Sequence, residues 1–206
     1  MQECFDMAKR EFKPGNMLYP LPAVLITAAS ESGEKNIFTV SWAGTVCTNP
    51  PMISISVRPG RHSYRMIEET GEFVVNLTTE KLAFAADYCG VVSGRDVDKF
   101  ARLGLTPLKG QQVSAPLIAE SPVNIECRVK QKLALGSHDL FLAQVVAVTV
   151  DDSYIDENDS FDLSKANPIV YSHGGYFTLG KQLGTFGYSV SKKSGKTMRK
   201  NKQKKY

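Results

Sequence analysis

Short apolar runs cut by proline and glycine set the first reading of this chain. Residues 23–28 follow two prolines, are apolar apart from Thr27, and stop at Ser30-Glu31-Ser32-Gly33. Residues 36–43 resume with β-branched and aromatic side chains, so the two runs predict a hairpin. After Asn49-Pro50-Pro51, residues 52–57 alternate apolar with polar at strand period, and Arg58-Pro59-Gly60 ends them. From Ser63 the spacing turns helical, with Tyr64, Met66 and Ile67 toward one side and Gly71 in the position of a C-terminal cap. Residues 73–77 read as a further strand. Residues 81–88, opened by Thr78-Thr79-Glu80 and stopped by Gly90, read as a second helix whose alanines and Phe84 lie flat on a sheet. Residues 4–12 fit one short helix before Lys13-Pro14-Gly15, and residues 93–104 fit a loop with a helical turn at 97–103.

The second half carries two long strands, residues 123–135 and 140–150, joined at Gly136-Ser137-His138-Asp139. Leu133, Leu135, Leu140, Leu142, Val146 and Val148 are expected to form their apolar face. A charged loop at 151–164 leads to a short strand at 168–171. Six or seven strands with two or three helices predict a mainly β protein with peripheral helices, closed as an antiparallel barrel because closure removes exposed strand edges.

Charge divides the chain in two. Eight of its 25 Lys and Arg residues lie after residue 190 with no acid among them, so the net +4 belongs to the tail and the remaining body is net negative. One domain over residues 1–190 and a basic, disordered tail over 191–206 follow. Such a tail can contact nucleic acid through phosphates, although a solvated terminus is the commoner reading. No apolar run is long enough to span a bilayer and the N-terminus lacks the order of a signal peptide, so no membrane contact and a cytoplasmic location are expected. The four widely spaced cysteines fit reduced thiols.

Hydrolytic and nucleotide motifs are missing. The sequence has no G-x-S-x-G, H-E-x-x-H, phosphate-loop or dinucleotide fingerprint, no ligand spacing for a metal, and only three histidines. Two segments do carry chemistry. Arg58-Pro59-Gly60-Arg61-His62-Ser63 sits where a strand turns into a helix, which puts two guanidiniums beside a hydroxyl and fresh helix N–H groups, a good phosphate setting. An exposed basic turn capped by His62 or Ser63 is the plain alternative. The sole tryptophan, Trp42, ends a strand among Thr39, Ser41, Ala43 and Gly44, small neighbours that let a planar ring approach the backbone; a core tryptophan is the alternative.

Residues 36–43, then Cys47-Thr48-Asn49-Pro50-Pro51, then residues 56–63, 73–77, Ser93-Gly94-Arg95-Asp96-Val97-Asp98-Lys99-Phe100 and Gly136-Ser137-His138-Asp139-Leu140-Phe141 together resemble the flavin reductase family of FMN-binding split barrels, its flavoredoxin-like members in particular. The likeness covers residues 16–184. It implies a Greek-key-like split β-barrel, a homodimer, and one FMN per subunit on the barrel wall near the dimer interface. By position it implies that Asn36 and Trp42 contact the flavin, that Thr39, Ser41 and Ala43 offer backbone groups to the ring, and that Arg58, Arg61 and Ser63 take the phosphate. Lys99 would reach the cofactor from its own or the partner subunit, Tyr171 would lie beside the ring, and His138 would stand at the reactive face as the catalytic residue. A solvated loop lysine, a core tyrosine and a hairpin histidine bonded to its own backbone are the respective alternatives. Electrons would come from NADH or NADPH, or, in an electron carrier, from another redox protein.

Overall fold

The computed structural model describes residues 9–190. The predicted basic tail and most of the predicted helix at 4–12 lie outside the described residues, and residues 9–12 carry no regular structure. The strands, in chain order, are β1 (Leu21–Pro22), β2 (Val24–Ala29), β3 (Lys35–Val40), β4 (Ala43–Cys47), β5 (Met52–Val57), β6 (Glu72–Asn76), β7 (Pro107–Leu108), β8 (Leu117–Ile118), β9 (Val123–Ala134), β10 (Asp139–Val150), β11 (Ile169–Ser172) and β12 (Gly175–Thr178). Helices α1 (His62–Thr70), α2 (Ala83–Val91) and α3 (Lys99–Leu103) complete the regular structure, with short 3₁₀ turns.

Seven strands form one antiparallel sheet in the order β3-β2-β6-β9-β10-β5-β4. Its two outer strands, β3 and β4, are consecutive in sequence and separated only by Ser41 and Trp42, so the sheet curls round on itself as a split barrel. The seam lies where β3 comes alongside β5 without ladder hydrogen bonds. Inside, Ile26, Phe38, Ile55, Val57, Phe73, Val75, Phe141 and Ala143 pack with Tyr64, Met66 and Ile67 of α1, which plugs one end. Each of the valine, isoleucine, phenylalanine and methionine side chains contributes roughly 1.5–3 kcal/mol by leaving water.

A second layer explains the unbroken apolar run of β2. All six of its residues are buried, because Leu25 and Ile37 face outward onto Leu82, Ala85, Cys89 and Phe100 of the α2–α3 segment while Val24, Ile26 and Ala28 face inward. A strand covered on both faces needs no polar side. In contrast, Ile53, Ile55 and Val57 of β5 point to the barrel interior and Ser54 and Ser56 point away, as the alternation predicts. Gly71 takes φ 67° and returns its N–H to the Ile67 carbonyl, the expected helix end.

Several expectations need correction. The predicted strand at 36–43 breaks at Ser41-Trp42, so Trp42 is a corner residue, 39% exposed, and not part of the core. Gly90 does not stop α2; it lies within it, packed against Thr39 of β3, and the helix runs on to Val91. The α2 alanines pack on the sheet, but Phe84 points to solvent. On the β9–β10 hairpin the buried barrel-facing residues are Cys127, Phe141 and Ala143, with Ile125, Val129 and Val145 packed against the same core, while Leu133, Leu135 and Val148 are exposed and Leu140 and Leu142 half-buried. Two register shifts, at Leu142/Ala143 and Val145/Ala147, break the simple alternation.

Beyond the barrel, the buried Glu126 holds the loop before β8: its carboxylate accepts the N–H groups of Gln111, Gln112 and Val113 at 3.0, 2.7 and 3.0 Å. An amide there keeps one acceptor oxygen and turns N–H donors against N–H donors. Glu126→Gln is therefore expected to cost about 1–3 kcal/mol of unfolding free energy, measured by denaturant titration, with no change in the far-ultraviolet circular dichroism of the folded protein.

Candidate functional site

The seam between β3 and β5 opens into a slot lined by residues 38–42, Ser56, Val57, Arg58, Arg61 and His138. Its geometry follows from the corner. β3 stops at Val40, the chain turns through Ser41 and Trp42, and the Trp42 carbonyl is fixed to β5 by the Ser56 N–H at 2.9 Å. β5 then runs into the turn Arg58-Pro59-Gly60-Arg61, closed by an Arg61 N–H to Arg58 carbonyl bond of 3.0 Å, and α1 begins. Both arginines thus stand at the mouth of the seam.

The N-terminus of α1 is open. Arg61 is the N-cap residue in extended conformation, no side chain caps the first turn and no acid sits in it. Neither sequence candidate for a cap serves as one. His62 turns to Glu34, with 2.7 Å between Nε2 and Oε1, and the buried Ser63 hydroxyl accepts a bond of 2.8 Å from Asn36 Nδ2. The orphan N–H groups and the positive end of the helix dipole therefore face the site uncompensated.

A second chamber adjoins the slot, sharing Phe38 and Arg61 with it and lined further by Asn36, Gly60, Gly94, Arg95 and Lys99. Asp98 caps α3 by accepting the Ala101 N–H, and Lys99 follows at the first helical position. Its side chain is 3% exposed and Nζ donates to the carbonyls of Ile37 at 2.7 Å and Cys89 at 3.1 Å. Lys99 is thus no solvated loop lysine, and it reaches the site of its own subunit. Burial lowers its pKa, the Cys89 side chain opposes that, and the Arg61 charge lowers it further. Among the described residues the ion pairs are His62–Glu34, Arg128–Glu72 and Lys132–Glu68, so Arg58, Arg61 and Lys99 have no carboxylate partner. Gly94 is needed for the chamber's wall: a side-chain carbon there would fall 2.2 Å from Asn36 Oδ1. Arg61 and Lys99 in the chamber and Arg58 in the adjoining slot, without a carboxylate partner and beside an open helix N-terminus, form a setting suited to an anion.

At the other end, His138 sits at the tip of the β9–β10 hairpin with its ring centroid 4.4 Å from that of Trp42 and the planes at 47°. Its Nδ1 pairs with the Ser137 hydroxyl at 2.9 Å, not with its own backbone. Burial first, then the charges of Arg58 and Arg61, hold its pKa below the ordinary imidazole value, so the ring is neutral at neutral pH.

The structure therefore gathers Asn36, Thr39, Ser41, Trp42, Arg58, Arg61, Lys99 and His138 around two joined chambers, with Ser63 directly behind Asn36. The Thr39 hydroxyl is spent on the Ala86 carbonyl, so it is not offered to the slot. Ala43 lies on the opposite side of Trp42, lining a more apolar cavity with Leu21, Gly44 and Val46. Tyr171 is not brought to the slot. It belongs to the separate sheet β1-β11-β12 and packs with Tyr19 and Tyr176, because β11 pairs with β1 and β12 and not with the barrel strands. Phe38, Gly94 and Arg95 were not singled out from the sequence, though Gly94 and Arg95 stand in the segment that carries Lys99.

The chain is similar to several known proteins. The family model described as Flavin reductase like domain matches residues 17–180. An uncharacterized protein of Archaeoglobus fulgidus is 32% identical over 139 residues, covering 68% of this chain and 77% of its own length. Flavoredoxin of Desulfovibrio vulgaris (Miyazaki F) superposes with a TM-score of 0.83 at 31% identity, covering 89% of this chain and 100% of its own. Flavoredoxin from Methanosarcina acetivorans gives 0.81 at 29% identity over the same shares. The split barrel, the seam site and these likenesses together make this chain a member of the flavin reductase like family.

Proposed function

We propose that this chain is an FMN-binding redox protein whose flavin ring lies in the Trp42 slot and whose phosphate lies by Arg58, Arg61 and Lys99 at the start of α1, with Ser63 supporting it from behind Asn36. The observation that carries the reading is the chamber of cations without carboxylate partners, joined through Phe38 and Arg61 to a slot walled by exposed backbone and Trp42. A planar ring on a short chain that ends in a dianionic phosphate has that same order of shapes and charges. FMN, when bound, supplies the hydride and electron chemistry. The arginine forks, the open first turn of α1 and the third proton of the Lys99 ammonium hold the phosphate. The backbone of residues 39–41 meets the polar edge of the ring, and Trp42 with His138 bounds its exposed side.

NADH or NADPH is the proposed electron donor. A neutral His138 at the slot orients the nicotinamide by a hydrogen bond without adding charge. As a general acid it would serve only below its lowered pKa, with that contribution lost as pH rises through it. A second reading, an electron carrier fed by another redox protein, is favoured by the likeness to two flavoredoxins. The proposed assembly is a homodimer, supported by the exposed apolar residues Leu133 and Leu135 at the β9–β10 hairpin end. Free thiols at Cys47, Cys89 and Cys127 support a cytoplasmic location, and among the described residues no helix is long and apolar enough to cross a membrane.

The flavin-loaded protein mixed anaerobically with NADH or NADPH is expected to lose its visible flavin absorbance within seconds. Bleaching by neither nicotinamide, with retention of FMN through gel filtration, would favour the carrier. In His138→Ala the same bleaching is expected to slow about ten- to a hundredfold, and in the unaltered protein its rate is expected to stay flat as pH rises above neutrality. Lys99→Met removes one charge-assisted phosphate contact, so FMN affinity measured by calorimetry should fall about 10- to 100-fold while affinity for riboflavin, which lacks the phosphate, changes little.

A further inference from the structure

Helix α1 does more than present Arg61 and Ser63. One residue further on, the buried Tyr64 directs its hydroxyl across the barrel end and donates it to the carboxylate of Asp139, itself only 8% exposed. Asp139 is the first residue of β10, paired with Val57 on β5 and Ala134 on β9, and it directly follows His138. The Tyr64 ring is further fixed edge-on to Phe141, with centroids 5.5 Å apart. Behind it, Lys132 Nζ from β9 bonds the Tyr64 hydroxyl at 3.3 Å and pairs with Glu68 of α1. A carboxylate this deeply buried is tolerated only while hydrogen-bonded, and Tyr64 is its side-chain partner.

We propose that Tyr64 and Asp139 are positioning residues: their buried hydrogen bond locks the β9–β10 hairpin to α1 and thereby holds His138 against Trp42. The same helix then fixes both ends of the site, its first turn at the cationic chamber and its Tyr64 at the ring slot. If the hydroxyl is removed, Asp139 is left buried without a donor. The strand end relieves this by moving the carboxylate toward Lys132 and water, and His138 leaves Trp42 with it. The raised pKa of Tyr64, due first to its bond with Asp139 and then to burial, keeps the hydroxyl a donor through the neutral range. The inference stands apart from the identity of the cofactor, since every contact in it lies within the chain.

The test is nuclear magnetic resonance of the full chain with isotope-labelled histidine, which resolves only His62, His138 and His173; His138→Gln assigns the resonance. The charged groups facing His138 are Arg58 and Arg61, and those around Asp139 are Lys132 and Glu68. In the unaltered protein the His138 ring protons should carry a ring-current shift from Trp42, and the ring should titrate below the ordinary value of about 6.5. Tyr64→Phe, which keeps the aromatic packing on Phe141, is expected to lose most of that ring-current shift and to move the titration up toward the ordinary value. His62, held by Glu34, and His173, packed on Tyr19, should not move. Asp139→Asn keeps an acceptor for the hydroxyl and should retain the shift, whereas Asp139→Val should lose it, which decides the matter even if Tyr64→Phe does not fold. A His138 ring-current shift unchanged in Tyr64→Phe or in Asp139→Val would overturn the proposal, as would its equal loss in the remote Glu126→Gln.

Discussion

Everything distinctive about this molecule follows from a buried ammonium that has no carboxylate to meet it. Lys99 lies 3% exposed with its charge shared between the carbonyls of Ile37 and Cys89. Those two bonds tie β3, α2 and α3 into one wall, but they do not neutralise the charge, and Arg58 and Arg61 add two more. Burying one such charge costs several kcal/mol unless an anion or a full set of hydrogen bonds offsets it. The fold bears that cost at one place, the split in its barrel. The absence of an acid in the first turn of α1 leaves the site still short of negative charge, and the Ser63 hydroxyl, bonded to Asn36, does not cap the helix.

The same split creates the apolar half of the site. A fully paired barrel would have hydrogen-bonded β3 to β5 and filled the seam. Here the chain leaves β3 at Val40, turns at Ser41-Trp42 and pairs with β5 from the other side as β4. The corner exposes backbone groups and half of an indole beside His138. A cationic pocket and a flat slot thus arise from one topological feature, and α1, plugged into the barrel end by Tyr64, Met66 and Ile67, holds the two in register.

Much of this was legible in the sequence, and the failures have physical causes. The β2–β3 hairpin, the alternation of β5 and the Gly71 cap were readable because each depends on local pattern alone, whereas the covering of β2 on both faces depends on the distant α2–α3 segment. Arg58 to Ser63 was recognisable as a basic strand-to-helix turn because its residues place the two guanidiniums at the start of α1 whatever surrounds them. Trp42 was not readable as a corner, since nothing local distinguishes a strand that continues from one that crosses to the far edge of its own sheet. The apolar face of β9–β10 was misassigned because two bulges shift the alternation and because the exposed leucines look like core in a single chain. Tyr171 entered only through family likeness, and its pairing with β1 is a long-range contact that neighbouring residues do not encode. Tyr64 read as one more apolar helix position, since its partner lies 75 residues away.

The central claim is that Trp42 and the cationic chamber form one site for one phosphorylated flavin. Its most direct test is to titrate the purified, flavin-free protein with FMN while following the emission of Trp42, the sole tryptophan of the chain. The account predicts saturable quenching at one FMN per chain, weakened when Arg61 is replaced by alanine. An emission that does not respond to FMN, from a protein shown to be folded, would contradict it.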